Sequence, residues 1–374
     1  MRNLIKKSFL DCKALSKILA STLLLVQSIF AEGKADVVAS EPRSVKVVIV
    51  TMFEIGTDSD DKAGELQIWL DNRKFPETLP FQGYRDLYYD PKDDVLLMAT
   101  GIGTAKSAAA TMAVGMDQRF DLSEAYWLVV GIAGIDPEDA TVGSAVWAEY
   151  LLDGDLGHQI DAREIPDDWP FGFFPRFTSR PFDKNKPEPT GEIFRLNSKL
   201  TEWAYQLTKD TDLPNNESAE RERLLYEFHP AARGTPRVMK GDSISALTFW
   251  HGALLNDWAN RLMSYWTEGK GNMVTAAMED TGTYLSLLWL DRIKRARKDR
   301  LMVLRTGSNF TMQPPSRTAA ENLVREASDR NYAGLEIALE SGYLVGSKVV
   351  AEITGNWELY KRGIPRSKSA SDRE

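Results

Sequence analysis

The chain has 374 residues, 46 of them basic and 54 acidic, for a formal charge of −8. At 43% hydrophobic and 27% charged its usage is that of a globular protein, which excludes a disordered, collagen-like or coiled-coil chain. The acidic balance argues against a nucleic-acid partner, and a single apolar run is too little for a polytopic membrane protein.

That run is Ile18–Phe30, preceded by Lys6, Lys7, Lys13 and Lys17 and followed by Ala31 and Glu32. The uncharged stretch Ile18–Ala31 has 14 residues, short of the roughly 20 of a spanning helix. A basic flank, a short apolar segment and a small residue describe a secretory signal peptide over residues 1–31, hence an exported protein, periplasmic or secreted. A buried amphipathic helix and an uncleaved anchor are the alternatives. Cleavage after Ala31 leaves 343 residues carrying −12 and removes Cys12, the only cysteine. Such a chain has no disulfide, thiolate metal site or cysteine nucleophile.

Residues 32–44 read as a tether. Strand candidates then follow at Val45–Met52, Val95–Thr100, Tyr126–Val130, Ser144–Tyr150, Met273–Ala277 and Leu301–Arg305. The first, VKVVIVTM, is a continuous β-branched run of the kind buried on both faces. Helix-like stretches lie at Ala63–Asn72, Thr104–Arg119, Phe194–Lys209, His251–Glu268, Thr281–Lys298 and Arg317–Glu340, with a trailing helix at Tyr343–Lys361. This alternation predicts an α/β fold with a mixed, mostly parallel central sheet flanked by helices. The domain spans 45–363, with an insertion at about 153–237 rich in Pro, Asp, Arg and aromatics, and a polar tail at 364–374. The aromatics of the insertion would pack as a lid or as ordinary core.

Four segments at strand C-termini could carry chemistry. Thr100-Gly101-Ile102-Gly103-Thr104 opens a helix, where glycine permits close backbone approach and the helix N-terminus favours an anion. It lacks the third glycine of a dinucleotide fingerprint and follows the second strand, so it also reads as a tight turn. Gly131-Ile132-Ala133-Gly134 leaves room for a flat ligand, or turns the chain. In Met278-Glu279-Asp280, one carboxylate can accept two hydrogen bonds from adjacent ribose hydroxyls, with Asp280 as the helix cap. In Thr306-Gly307-Ser308-Asn309-Phe310, Asn309 offers the donor and acceptor needed to read a purine edge, or serves a turn. Open α/β sheets bind ligands at this edge.

The order strand–TMFE, strand–TGIGTAKSAAA, strand–GIAGIDPEDATVGSAVWAEYLLDGD, strand–AAMEDTGTYLSLL and strand–RTGSNF resembles the purine nucleoside permease family. That family is similar in fold to nucleoside phosphorylases and methylthioadenosine nucleosidases. The resemblance runs from about Val45 to Gly363 and includes LGHQIDAREIPDDWPFGFFP. It implies a nucleoside-phosphorylase-like fold and a purine nucleoside ligand. Met278 would pack on the sugar and Glu279 would hold its hydroxyls. Ser308 and Asn309 would face the purine, where Asn309 would hydrogen-bond developing charge on the departing base. Gly131, Ala133 and Gly134 would line the base pocket. Gly101, Gly103 and Thr104 would lie near the sugar or phosphate. Met52, Phe53 and Glu54 form the first loop, with Glu54 a candidate for orienting water. Acids in Glu54–Asp61 repel phosphate at close range, yet Arg85, Lys106 or Arg163 could supply its counter-charge, so phosphate stays open as a co-substrate. The resemblance also implies a homo-oligomer.

His158, His229 and His251 are scattered, so no metal site is expected and no cofactor besides phosphate. His251 is expected to be structural, whereas His158 could touch a ligand. Two functions remain: an enzyme cleaving the N-glycosidic bond, by phosphorolysis or hydrolysis, and an exported nucleoside-binding protein serving uptake. The second would need hand-over to a membrane transport partner, since the mature chain has no spanning segment.

Overall fold

A computed structural model describes residues 41–329 and 332–363. The leader with Cys12, the tether up to Ser40 and the polar tail lie outside the described residues.

The main sheet contains twelve strands. In chain order they are β1 (Val47–Thr51), β2 (Glu77–Leu79), β3 (Leu87–Asp90), β4 (Val95–Ala99), β5 (Tyr126–Ile135), β6 (Ala145–Trp147), β7 (Tyr150–Asp153), β8 (Ile193–Arg195), β9 (Val238–Lys240), β10 (Asp242–Ser245), β11 (Met273–Ala277) and β12 (Leu301–Phe310). The α-helices of the described residues are α1 (Gln67–Asn72), α2 (Thr104–Met116), α3 (Ser198–Thr208), α4 (Glu217–Leu224), α5 (Ala253–Thr267), α6 (Asp280–Arg292), α7 (Ala319–Asp329), α8 (Leu335–Gly355) and the short α9 (Trp357–Tyr360).

Strand order is β8-β7-β10-β11-β5-β1-β4-β3-β2, with β12 pairing both β5 and β6, and β9 pairing β6. The pairs β1–β4, β1–β5 and β5–β12 are parallel, as are β10–β11 and β7–β10. Antiparallel pairs close the ends and join β11 to β5. The architecture is therefore the α/β fold with a mixed central sheet that the alternation predicts.

Both faces are covered, which is why the central strands are buried nearly throughout and mostly apolar. Val48, Val50, Leu96, Met98 and Val129 pack with Val114 of α2 and Leu287 of α6. Val47, Ile49, Leu97 and Leu128 face the other way, against Trp69 of α1 and Val345 and Val349 of α8. The helices α2 and α6 meet closely. A methyl group at Gly282 would fall 2.2 Å from the carbonyl oxygen of Thr104, so this contact requires glycine.

Several expected boundaries move. The segments at Gly131–Gly134 and Ser308–Asn309 are strand rather than loop, because β5 and β12 pair along their whole lengths. Ser308 sits at a register shift between Gly307 and Asn309. The stretch Ser144–Tyr150 splits into β6 and the start of β7. The helices expected at Arg317–Glu340 and Tyr343–Lys361 are instead divided near residue 332, and α8 runs unbroken through residues 340–343. The 153–237 segment contributes β8 to the main sheet and carries α3 and α4. Its Phe173 meets Trp258 at 5.2 Å, and Phe182 meets Tyr265 at 5.9 Å. These rings pack on α5 and do not line the cavity described next.

Candidate functional site

A strand has two edges, and β12 occupies one edge of β5 from Trp127 to Ile135. Both β1 and β11 must therefore share the other. β1 pairs up to Val129, and β11 pairs only with Gly134 and Ile135. The two strands point their C-terminal ends at each other across the intervening stretch of β5. This fork opens a cavity of about 660 Å³, within the size range of small-molecule sites.

Of the residues singled out from sequence, Met52, Phe53, Glu54, Ala133, Gly134, Met278, Glu279, Ser308 and Asn309 line this cavity. Gly101, Gly103, Thr104 and Gly131 are not in the lining. Gly103 stands directly behind it, its amide donating to Glu279 Oε1 at 3.2 Å. Gly131 packs where a side chain would strike Met52 and Glu65. Thr104 belongs to the α2–α6 contact, and Gly101 packs near Lys106 and Tyr84.

Glu279 is the junction between β11 and α6 and is buried. Its carboxylate accepts from Arg305 Nη2 at 2.9 Å as well as from Gly103. Burial raises its pKa and the Arg305 charge opposes the rise. Asp280 does not act as a helix cap. It accepts from Arg305 Nε at 2.9 Å and Nη2 at 2.5 Å, and from Ser243 Oγ at 2.7 Å. Arg305 Nη1 donates to the Ile132 carbonyl at 3.1 Å. All three guanidinium nitrogens are thus engaged in holding the fork together.

Sequence reasoning missed Glu65. It lies just before α1, wholly buried, and closes the unpaired part of the fork. One oxygen accepts from the Met52 amide at 2.7 Å, the other from the Ile132 amide at 2.8 Å. These are backbone donors that the divergence of β1 and β11 would otherwise leave without partners. Burial pushes its carboxyl up to about 8, against the pull of Arg305 and with the push of Glu279.

Glu54 lines the cavity, but its oxygens accept from the amides of Ile55 at 2.7 Å and Gln67 at 2.5 Å, and also from Gly64. It anchors the start of α1. At the other end of the cavity Asn309 Nδ2 donates to Glu326 Oε2 at 3.2 Å, and Asn309 Oδ1 accepts from Ser308 Oγ at 3.0 Å. Glu326 also accepts from Asn322 at 3.1 Å, and burial pushes it up to about 7. Asn322 in turn contacts His251 Nε2 at 3.2 Å, and burial lowers that imidazole to about 4. His251 is a buried structural residue. His158 packs against Phe174 in a tilted contact, ring centroids 5.1 Å apart, and does not line the cavity.

The raised values of Glu65 and Glu326 carry a sign. Their neutral forms are favoured in the fold, so their contribution is complete below the ordinary Glu value and fades as pH rises through about 7 and about 8. Glu65→Gln is expected to flatten the alkaline fall in stability. The share of Glu65 is on the order of 4 kcal/mol between pH 5 and 9. Urea unfolding across that range checks it, and an unchanged slope would refute the assignment.

The fold and cavity together define an α/β protein with a cavity of small-molecule size at a strand fork. Residues 44–365 match the family profile described as purine nucleoside permease (NUP), so the chain belongs to the purine nucleoside permease family. It is 29% identical to a purine nucleoside permease of Candida albicans over 331 residues, 85% of this chain and 77% of that protein. It is 26% identical to a probable purine nucleoside permease of Schizosaccharomyces pombe over 363 residues, 92% of this chain and 99% of that one. Among solved structures, a futalosine hydrolase of Helicobacter pylori aligns with a TM-score of 0.49 at 16% identity, covering 82% of this chain and 98% of that one. A 5′-methylthioadenosine/S-adenosylhomocysteine nucleosidase of Neisseria meningitidis aligns with a TM-score of 0.49 at 15% identity, covering 83% and 99%.

Proposed function

We propose that the cavity binds a purine nucleoside and that the protein cleaves its N-glycosidic bond. Family membership supports the ligand. The observation that carries the reading is the convergence of Glu279, Asn309 and Ala133–Gly134 on one cavity. Glu279, steadied by Arg305, accepts hydrogen bonds from the ribose hydroxyls. Small residues of β5 leave space for the flat base. Asn309 hydrogen-bonds the negative charge that develops on the base as the bond breaks. Glu54 is assigned to holding α1. Free base released from adenosine, inosine or guanosine, and lost in Glu279→Ala, supports this reading. Absence of binding to all three nucleosides sinks it.

A second reading is capture without cleavage, serving uptake. It is favoured by an amide, which cannot deliver a proton, at position 309. Among the described residues no helix is long and apolar enough to cross a membrane, so this role needs a membrane transport partner. Tight binding with the nucleoside intact after many hours would select it. The proposal includes export by residues 1–31, checked by a mature N-terminus at Glu32. It also includes a homo-oligomer, since Ile102 and Phe249 line the cavity yet are 49% and 41% exposed. A monomeric mass by sedimentation would remove that part.

A further inference from the structure

We infer that water, and not phosphate, is the second substrate of the cleavage proposed above, and that Glu65 takes the proton from it. The inference rests on that cleavage reading and adds the identity of the nucleophile. Two independent features carry it: the charge of the cavity wall and the placement of one carboxylate.

A phosphate dianion needs cations or unengaged amides at its seat. The wall supplies the opposite. Glu54, Glu65, Glu279 and Glu326 all line the cavity, and Lys62 is the one basic residue among the described lining residues. The cations that sequence offered for phosphate are elsewhere. Arg85 is held by Asp58 at 2.6 Å and by the Gly56 carbonyl at 2.7 Å. Arg163 pairs with Asp161 at 2.8 Å in the 153–237 segment, with its side chain 89% exposed. Lys106 is exposed and is not in the lining. Arg305, the nearest buried cation, has its guanidinium committed to Asp280, Glu279 and the Ile132 carbonyl. The amides that could cradle an anion at the end of β1 are occupied as well. Met52 and Ile132 donate to Glu65, and Gly64 and Gln67 donate to Glu54. Bringing phosphate here would place it against carboxylates in a low-dielectric wall.

The same arrangement suits water. Glu65 Oε2 accepts from the Met52 amide at 2.7 Å and the Phe53 amide at 3.4 Å, whereas Oε1 accepts only from the Ile132 amide at 2.8 Å, so Oε1 keeps lone-pair capacity on a carboxylate that lines the cavity. Glu65 is fixed by those bonds and does not need to move before it acts. In the step, the water oxygen bonds to C1′ and the C1′–N9 bond breaks, its electron pair going to the base. The water proton passes to the ionised Glu65 and thence to solvent, while the base nitrogen takes a proton from solvent. The products are free purine and free ribose, and no oxidant or further reactant is needed.

The test is product analysis of the intact chain with adenosine, inosine and guanosine, in phosphate-free buffer and with added inorganic phosphate. Free base with free ribose in both buffers, at the same rate, is the expected result. Glu65→Gln should then lower kcat by about 100-fold or more with nucleoside binding changed less than threefold, and should remove the rise of rate toward pH 8. Base release only with phosphate, accompanied by ribose 1-phosphate, overturns the inference and leaves cleavage standing. A Glu65→Gln variant with wild-type kcat and pH profile also overturns it. No base in either buffer, with nucleoside bound, overturns the cleavage reading and this inference with it. The product test on the wild-type chain does not depend on how the variant folds.

Discussion

Glu279→Ala is expected to reduce kcat/KM for a purine nucleoside by about 10²–10⁴. Two ribose hydroxyls donate to one buried carboxylate in this account, and hydrogen bonds to charged groups contribute about 1.5–3 kcal/mol each. Every 1.4 kcal/mol is a factor of about ten. The fold should tolerate the change better than the activity does. Glu279 is costly to bury, and Arg305 keeps Asp280 on two of its nitrogens after the substitution. A steady-state comparison with a parallel unfolding curve checks both halves. A loss below tenfold would show that Glu279 is not the ribose ligand.

Arg305→Leu is expected to have the largest effect on stability. The guanidinium is buried beneath Glu279 and Asp280 and pulls on Glu65. Removing it leaves three acidic groups around a cavity wall with no counter-charge, and breaking a buried ion pair on one side costs about 3–5 kcal/mol. The sign with pH follows from linkage. Without Arg305 the pKa values of Glu65 and Glu279 rise further in the fold, so the penalty grows as pH climbs above their unfolded values. The loss should be larger at pH 8 than at pH 5. Urea unfolding at both values measures it, and a loss under about 1 kcal/mol or one independent of pH would contradict the network.

The layered α/β plan was legible because burial on both faces writes itself as continuous apolar runs such as VKVVIV and MVTAA. The ends of β5 and β12 were not. Gly131–Gly134 and Ser308–Asn309 look like loops in isolation, and only pairing between strands far apart in the chain keeps them extended. The helix α8 was divided at the wrong place. Gly342 and Gly346 lie inside it, where they press close to Val130, Thr306 and Leu128 of the sheet and to Trp69 of α1. Glu279 and Asn309 stood out because polar residues at the end of a buried strand need a reason. Arg305 carried the same signal at the end of LMVLR and was passed over. Glu65 carried none: GELQIW reads as an ordinary helix start, and its partner Ile132 is 67 residues away. Glu326 is equally hidden among the charged residues of α7.

The central claim is that the fork between β1 and β11 is the nucleoside site. The most direct measurement is a crystal structure with a purine C-nucleoside, whose carbon–carbon glycosidic bond resists cleavage. The account predicts the ribose hydroxyls within hydrogen-bond distance of Glu279, the base between Ala133–Gly134 and Asn309, and an ordered water on Glu65. A nucleoside bound outside this fork, or inside it with the sugar turned away from Glu279, would contradict the account.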